Sequence, residues 1–192
     1  FITVMLAVFL TFTTRYFGSR TINATNRLAI LGYAVPGAVI AIGILLLAKQ
    51  VNQATGWIMT GSLSMLVLAY IVRFLAVAWQ PIDSGMERNC EQINNASRSL
   101  GVTAIQSLTN INIPLLRNAL VTAGLFVFVD TMKELPLTLI LRPFNFETLS
   151  TKTFDLAQQA QIPESSVPAL CIILVSLLPL IWLNLQIRNT EK

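Results

Sequence analysis

Three ionisable residues set in apolar text offer the most chemistry in this sequence. Asp130, Lys133 and Glu134 stand at i, i+3 and i+4, so one helix would carry them on one face. For a helix starting near Asn118, Asp130 lies about 18 Å along it and Glu134 about 24 Å. An ionised group that deep in a bilayer costs roughly 3 kcal/mol or more unless it faces protein or water. Three arrangements stand open. The residues line a polar path whose carboxylates suit a hard cation; they form a structural network in which Lys133 neutralises a carboxylate; or the helix ends near Val129 and they sit at the surface. The chain has no His. That removes His metal ligands, Ser-His-Asp and Cys-His catalysis, and the usual near-neutral proton shuttle. No GxxxxGK[ST] phosphate loop is present, so the chain does not hydrolyse ATP itself.

The elements around these residues read as membrane helices. Of 192 residues 54% are hydrophobic and 11% charged, with mean hydropathy +0.67. Soluble domains carry about 25% charged residues, so this chain lacks the charge to cover a water-facing surface. It has 13 Lys and Arg against 9 Asp and Glu. Five apolar stretches approach the ~20 residues that a spanning helix needs. They are 1–17, 28–48, 57–79, 118–141 and 167–187. Pro36 and Pro179 fall inside two of them, and Trp57 and Trp79 frame the third. Gly37, Ala41 and Gly43 would permit close helix approach in the second. Arg73 would snorkel to headgroups or pair within the bundle. Cys171 reads as a small buried hydrophobe, and Cys90 as a reduced cytoplasmic thiol. The start at Phe1 reads as the edge of a longer chain.

Most basic residues between spans fall on one side: Arg15, Arg20, Arg27, Arg88, Arg98, Arg117, Arg188 and Lys192. Lys49, Arg142 and Lys152 face them. The positive-inside rule then places the N-terminal edge outside and the C-terminus in the cytoplasm. The basic balance becomes an orientation signal, and no nucleic-acid partner is implied. Asn23 and Asn95 head N-x-[ST] triplets on the inner face and are taken as chance matches. The outer connection 142–165 offers Arg142, Glu147, Lys152, Asp155 and Glu164 to water or to a soluble partner.

The long inner connection, 80–117, has a readable organisation. Residues 91–100 form a short helix that Gly101 ends, because glycine tolerates the left-handed conformation. Thr103 caps a second helix, which Pro114 breaks. The product is a helix–turn–helix hairpin showing Ile93, Leu100, Val102 and Ile105 to a partner groove.

This hairpin resembles the EAA loop of ABC importer permeases: Glu-Ala-Ala, three residues, Gly, nine residues, Ile, one residue, Leu-Pro. Gly101, Ile111 and Pro114 keep that spacing, and Ala96 matches the first Ala. Ser97 replaces the second Ala, Ile113 replaces Leu, and the family's Glu falls on Asn95. Glu91, one turn earlier, offers a substitute for the acid. With Gly32 to Gly37 and the FVDTMKELPLTLILRPFNFETL run from Phe128, the chain resembles the C-terminal half of ferric-iron permeases. The resemblance implies an all-α polytopic bundle of five transmembrane helices, a single permease domain over 1–192 with a coupling loop at 80–117, in the inner membrane of a bacterium. Its partners would be an ATPase subunit dimer, a second permease half or homologous subunit, and a periplasmic substrate-binding protein. No cofactor or resident metal is implied. The implied coupling residues are Glu91, Asn95, Ala96, Ser97, Gly101, Ile111 and Pro114, and the candidate path is Asp130, Lys133 and Glu134. Rival readings are import of thiamine, sulfate, polyamine or phosphonate, an ion-coupled secondary transporter, and a non-transporting scaffold.

Overall fold

The computed structural model describes residues 1–18, 24, 30–89 and 91–190. Arg20, Asn23, Thr25, Arg27, Cys90 and Lys192 lie outside them, as do the side chains of Glu91 and Arg188. Among the described residues the chain is helical with no strand. Helices run over Ile2–Phe17 (α1), Gly37–Thr55 (α2), Leu63–Asn89 (α3), Glu91–Ser99 (α4), Ala104–Leu115 (α5), Arg117–Lys133 (α6), Pro136–Leu141 (α7), Leu149–Gln158 (α8) and Ile162–Thr190 (α9). A short 3-10 turn covers Ile30–Tyr33.

Among the described residues three helices are long and apolar enough to cross a membrane: α2, α3 and α9. The bent pair α5 and α6, at 75°, would make a fourth, and α1 is a shorter apolar helix of 16 residues. Each of the five expected segments contains a helix, but the bounds differ from those expected. The second does not run through Pro36. That residue sits at the N-cap of α2, because its missing N–H and fixed φ suit a helix start and not a helix interior. Gly56, at φ 72°, ends α2 seven residues beyond Lys49. The third starts later than Trp57. Gly61 turns the chain at φ 73°, and the Ser62 hydroxyl accepts the Met65 N–H at 3.3 Å as a cap. The helix then continues well past Trp79, which is buried, so the two tryptophans do not frame it. The fourth is split after Lys133 by Pro136 at the first position of α7. The fifth begins at Ile162 and carries both Pro168 and Pro179.

The described chain forms two compact units. The first takes 1–34 and 71–127. Its α1 buries Val4, Ala7, Val8, Thr11, Phe12 and Tyr16, the 3.6-residue stripe of an amphipathic helix. Gly32 is required by close approach, since a Cβ there would collide with the Val72 carbonyl. Arg73 does not snorkel. Its guanidinium donates to the Tyr33 carbonyl at 3.0 Å and lies over the Tyr33 ring at 5.2 Å. The carbonyls freed at the end of the 3-10 turn supply a partner that lies within protein, and this displaces the headgroup reading.

The second unit takes 35–70 and 128–192. Its core joins Ile40, Ala41, Ile44 and Ala48 of α2, Met65, Leu66 and Ala69 of α3, and Leu137 and Leu141 of α7. Ala41 is fully buried, as the small-residue reading requires, whereas Gly43 meets no neighbour. Cys171 is exposed on α9, not buried. The apolar window of that helix is only 6% buried, so its covering is lipid or another chain.

Candidate functional site

The hairpin of the first unit is built from its turn outward. α4 ends in a Schellman motif: Val102 N–H donates to the Ser97 carbonyl at 3.0 Å and Gly101 N–H to the Arg98 carbonyl at 3.1 Å. Gly101 has φ 75°, the left-handed region that glycine enters without a Cβ penalty. Thr103 then makes a reciprocal capping box. Its hydroxyl accepts from Gln106 N–H at 3.4 Å, and its own N–H donates to Gln106 Oε1 at 3.2 Å. Two helix ends are thereby satisfied within a handful of residues.

Pro114 does not break the second helix. Residues Ser107–Asn112 adopt a π-helix, and α5 runs through Pro114 to Leu115. Proline in a regular helix interior clashes with the carbonyl four residues back. The wider π turn just upstream gives room for the ring. The break comes two residues later, at Leu116, where the chain bends into α6.

A buried polar knot, which sequence spacing did not reveal, holds the two arms together. Asn94 Oδ1 accepts from the Ser107 hydroxyl at 3.0 Å and from Asn112 Nδ2 at 2.9 Å. Asn112 Nδ2 also reaches the Ser107 carbonyl at 2.8 Å, and the Ser97 hydroxyl donates to the Asn94 carbonyl at 2.9 Å. All four residues are buried. Asn94→Ala removes the acceptor shared by the Ser107 hydroxyl and one Asn112 N–H, at about 1–3 kcal/mol for each donor so stranded, and leaves Asn112 only its bonds to Ser107. Amide hydrogen exchange across 91–115 is expected to accelerate at least tenfold in that variant, with α2 and α7 unaffected.

Outward, the hairpin shows Asn95, Ala96, Leu100 and Ile105, with Leu100 83% and Ile105 75% exposed. Ile93 is exposed and Val102 half-buried. Ile111 is half-buried and Pro114 exposed, while Ser97 points inward. The six named residues other than Glu91 are therefore brought onto one small hairpin. α4 is fastened to the end of α1 by Arg98, whose guanidinium lies 4.4 Å above the Tyr16 ring. α1 in turn is clamped to α3 by Arg15, which donates to Asp83 at 2.8 Å and to Glu87 at 3.2 Å. A cleft of about 90 Å³ opens between Arg15, Tyr16, Met86, Asn94, Asn95 and Arg98.

The second unit holds the three ionisable residues, and it divides them. Lys133 Nζ pairs with Asp130 at 2.8 Å in the last turn of α6. Glu134 falls just past the helix end and turns away to a different task. Its Oε1 accepts the Leu137 N–H at 3.2 Å, capping α7. A Cβ on Gly37 would stand 2.6 Å from that oxygen, so glycine at the start of α2 is what admits the carboxylate. The Glu134 carbonyl accepts the hydroxyls of Thr138 and Ser150, each at 2.9 Å. Thr138 Oγ1 also bonds the Tyr70 hydroxyl at 2.7 Å. Glu134 is thus a buried strut at a helix break. Among the described residues no group of three or more His, Cys, Asp or Glu is placed to hold a metal ion.

A polytopic helical membrane subunit with a braced polar hairpin defines the class. The sequence profile described as "Binding-protein-dependent transport system inner membrane component" matches residues 3–192, and the chain belongs to that family. It is 28% identical over 183 residues to the Fe(3+)-transport system permease protein FbpB 2 of Haemophilus influenzae, covering 95% of this chain and 35% of that protein. It is 27% identical over 172 residues to a putative 2-aminoethylphosphonate transport system permease protein, PhnV, of Salmonella paratyphi A, covering 90% of this chain and 63% of that protein. It is 25% identical to the ferric transport system permease protein FbpB of Actinobacillus pleuropneumoniae, covering 97% of this chain and 29% of that protein. The chain thus spans about a third of the length of these ferric permeases.

Proposed function

We propose that this chain is the membrane-spanning part of an ATP-driven importer, coupled through residues 91–115 to a separate ATPase subunit dimer. The observation that carries this is the braced hairpin. Its polar knot and capped turn make it stiff, and its exposed apolar residues leave a surface for a partner to grip. A lever needs both properties, because a soft connection would absorb motion and not pass it on. In this reading 91–115 faces the cytoplasm with the C-terminus, and a second permease half completes the path. Asp130 and Lys133 line that path, and Glu134 positions the break beside them. A periplasmic binding protein delivers the cargo, a reading supported by the family's binding-protein-dependent character.

The cargo we assign is ferric iron, supported by the ferric permeases among the relatives. Aminoethylphosphonate is the second reading, supported by the PhnV similarity over more of that relative's length. Proteoliposomes holding the full complex test both. Iron-loaded binding protein is expected to stimulate ATP hydrolysis and uptake several-fold over phosphonate-loaded binding protein. The reverse order would move the cargo to phosphonate, and uptake that survives loss of the ATPase but collapses with the proton gradient would replace the whole reading.

A further inference from the structure

One exposed group in the second unit is unlike the rest. Phe144 is 101% exposed, at the tip of the turn between α7 and α8. The turn that holds it is fixed at every joint. Phe146 N–H donates to the Pro143 carbonyl at 3.2 Å, and Asn145 sits at φ 60°, a left-handed position that asparagine tolerates. Thr148 and Thr151 form a reciprocal cap at the start of α8, with N–H to hydroxyl distances of 2.9 and 3.3 Å. Arg142 is tied to Asp155 at 2.9 Å, and Lys152 to Glu147 at 3.2 Å. Ser150 anchors the start of α8 to the Glu134 carbonyl.

A fully exposed phenyl ring on a rigid mount is costly to leave in water and cheap to dock, because little entropy is lost on binding. Arg142 and Glu147 stand two and three residues from it in sequence, and their partners Asp155 and Lys152 follow on α8, so the turn is not built to enter hydrocarbon. The family is described as a component of a binding-protein-dependent transport system, which makes a soluble binding protein the partner to consider. We propose that Phe144 is an aromatic anchor that enters an apolar pocket on the soluble substrate-binding protein. The mount then passes the docking event through Ser150 to Glu134, at the break between α6 and α7. This proposal rests on the transport reading above, with the turn on the outer side.

The test uses the whole transporter in proteoliposomes with iron-loaded binding protein. The concentration giving half-maximal stimulation of ATP hydrolysis is expected to rise at least tenfold in Phe144→Ala and to stay within threefold in Phe144→Tyr, since buried aromatic anchors dominate such interfaces. A second probe is independent of the variant's activity. With p-benzoylphenylalanine at position 144, illumination is expected to join the chain to the binding protein. An unchanged half-maximal concentration in Phe144→Ala overturns the anchor, as does photo-adduct formation with lipid alone. If neither iron-loaded nor phosphonate-loaded binding protein stimulates the wild-type complex, the transport reading fails, and the anchor with it.

Discussion

Gly101→Pro is expected to cut coupled transport at least tenfold while the chain still inserts and the partner ATPase still turns over. Two costs coincide at this position. Proline holds φ near −65°, but the turn requires 75°. Proline also lacks the N–H that Gly101 donates to the Arg98 carbonyl. The Schellman motif cannot form, so α4 and α5 lose their fixed angle. Gly101→Ala tests the conformational part alone. Left-handed backbone costs an L residue about 1–2 kcal/mol, so that variant is expected to fall between wild type and proline. The measurement is the ratio of substrate imported to ATP hydrolysed. A wild-type ratio in Gly101→Pro would remove the turn from the coupling device.

Asp130→Ala and Glu134→Ala should part company. Asp130 pairs with a lysine that is 60% exposed, and it makes no helix cap. Its loss is expected to lower transport tenfold or more with assembly of the complex within twofold of wild type. Glu134 is buried; its loss strands the Leu137 N–H and empties the space that Gly37 keeps open. An unsatisfied buried donor and a cavity together cost about 2–4 kcal/mol. Glu134→Ala is therefore expected to reduce assembly and transport alike, read by detergent thermal denaturation beside uptake. Equal losses of assembly and transport in Asp130→Ala would place Asp130 in the scaffold and not the path.

The contrast between those two carboxylates marks what sequence alone reaches. Spacing of i, i+3 and i+4 put Asp130, Lys133 and Glu134 on one face, and the Asp130–Lys133 pair follows from it. The same spacing misplaces Glu134, because Pro136 starts a new helix and the chain turns before the period completes. Local signals were legible wherever the cause was local. Gly101 ends α4 and Thr103 caps α5 because the responsible hydrogen bonds lie within a few residues. Long-range causes were hidden. Asn94, Ser107 and Asn112 meet across a turn that must form first. Arg73 finds a carbonyl forty residues away, and so does not reach for headgroups. Trp57 and Trp79 looked like interface markers only while the ends of α3 were unknown. Pro114 looked like a breaker because a π turn beside it leaves no trace in composition.

The central claim is that residues 91–115 are gripped by a separate ATPase. Its most direct test places a single cysteine at Asn95 or Leu100, in a background without Cys90 and Cys171, within the assembled complex. A short thiol cross-linker is expected to join either position to the ATPase subunit, with a yield that changes between nucleotide-free and ATP-bound states. Links that form only to lipid or to the permease itself, with no dependence on nucleotide, would contradict the account.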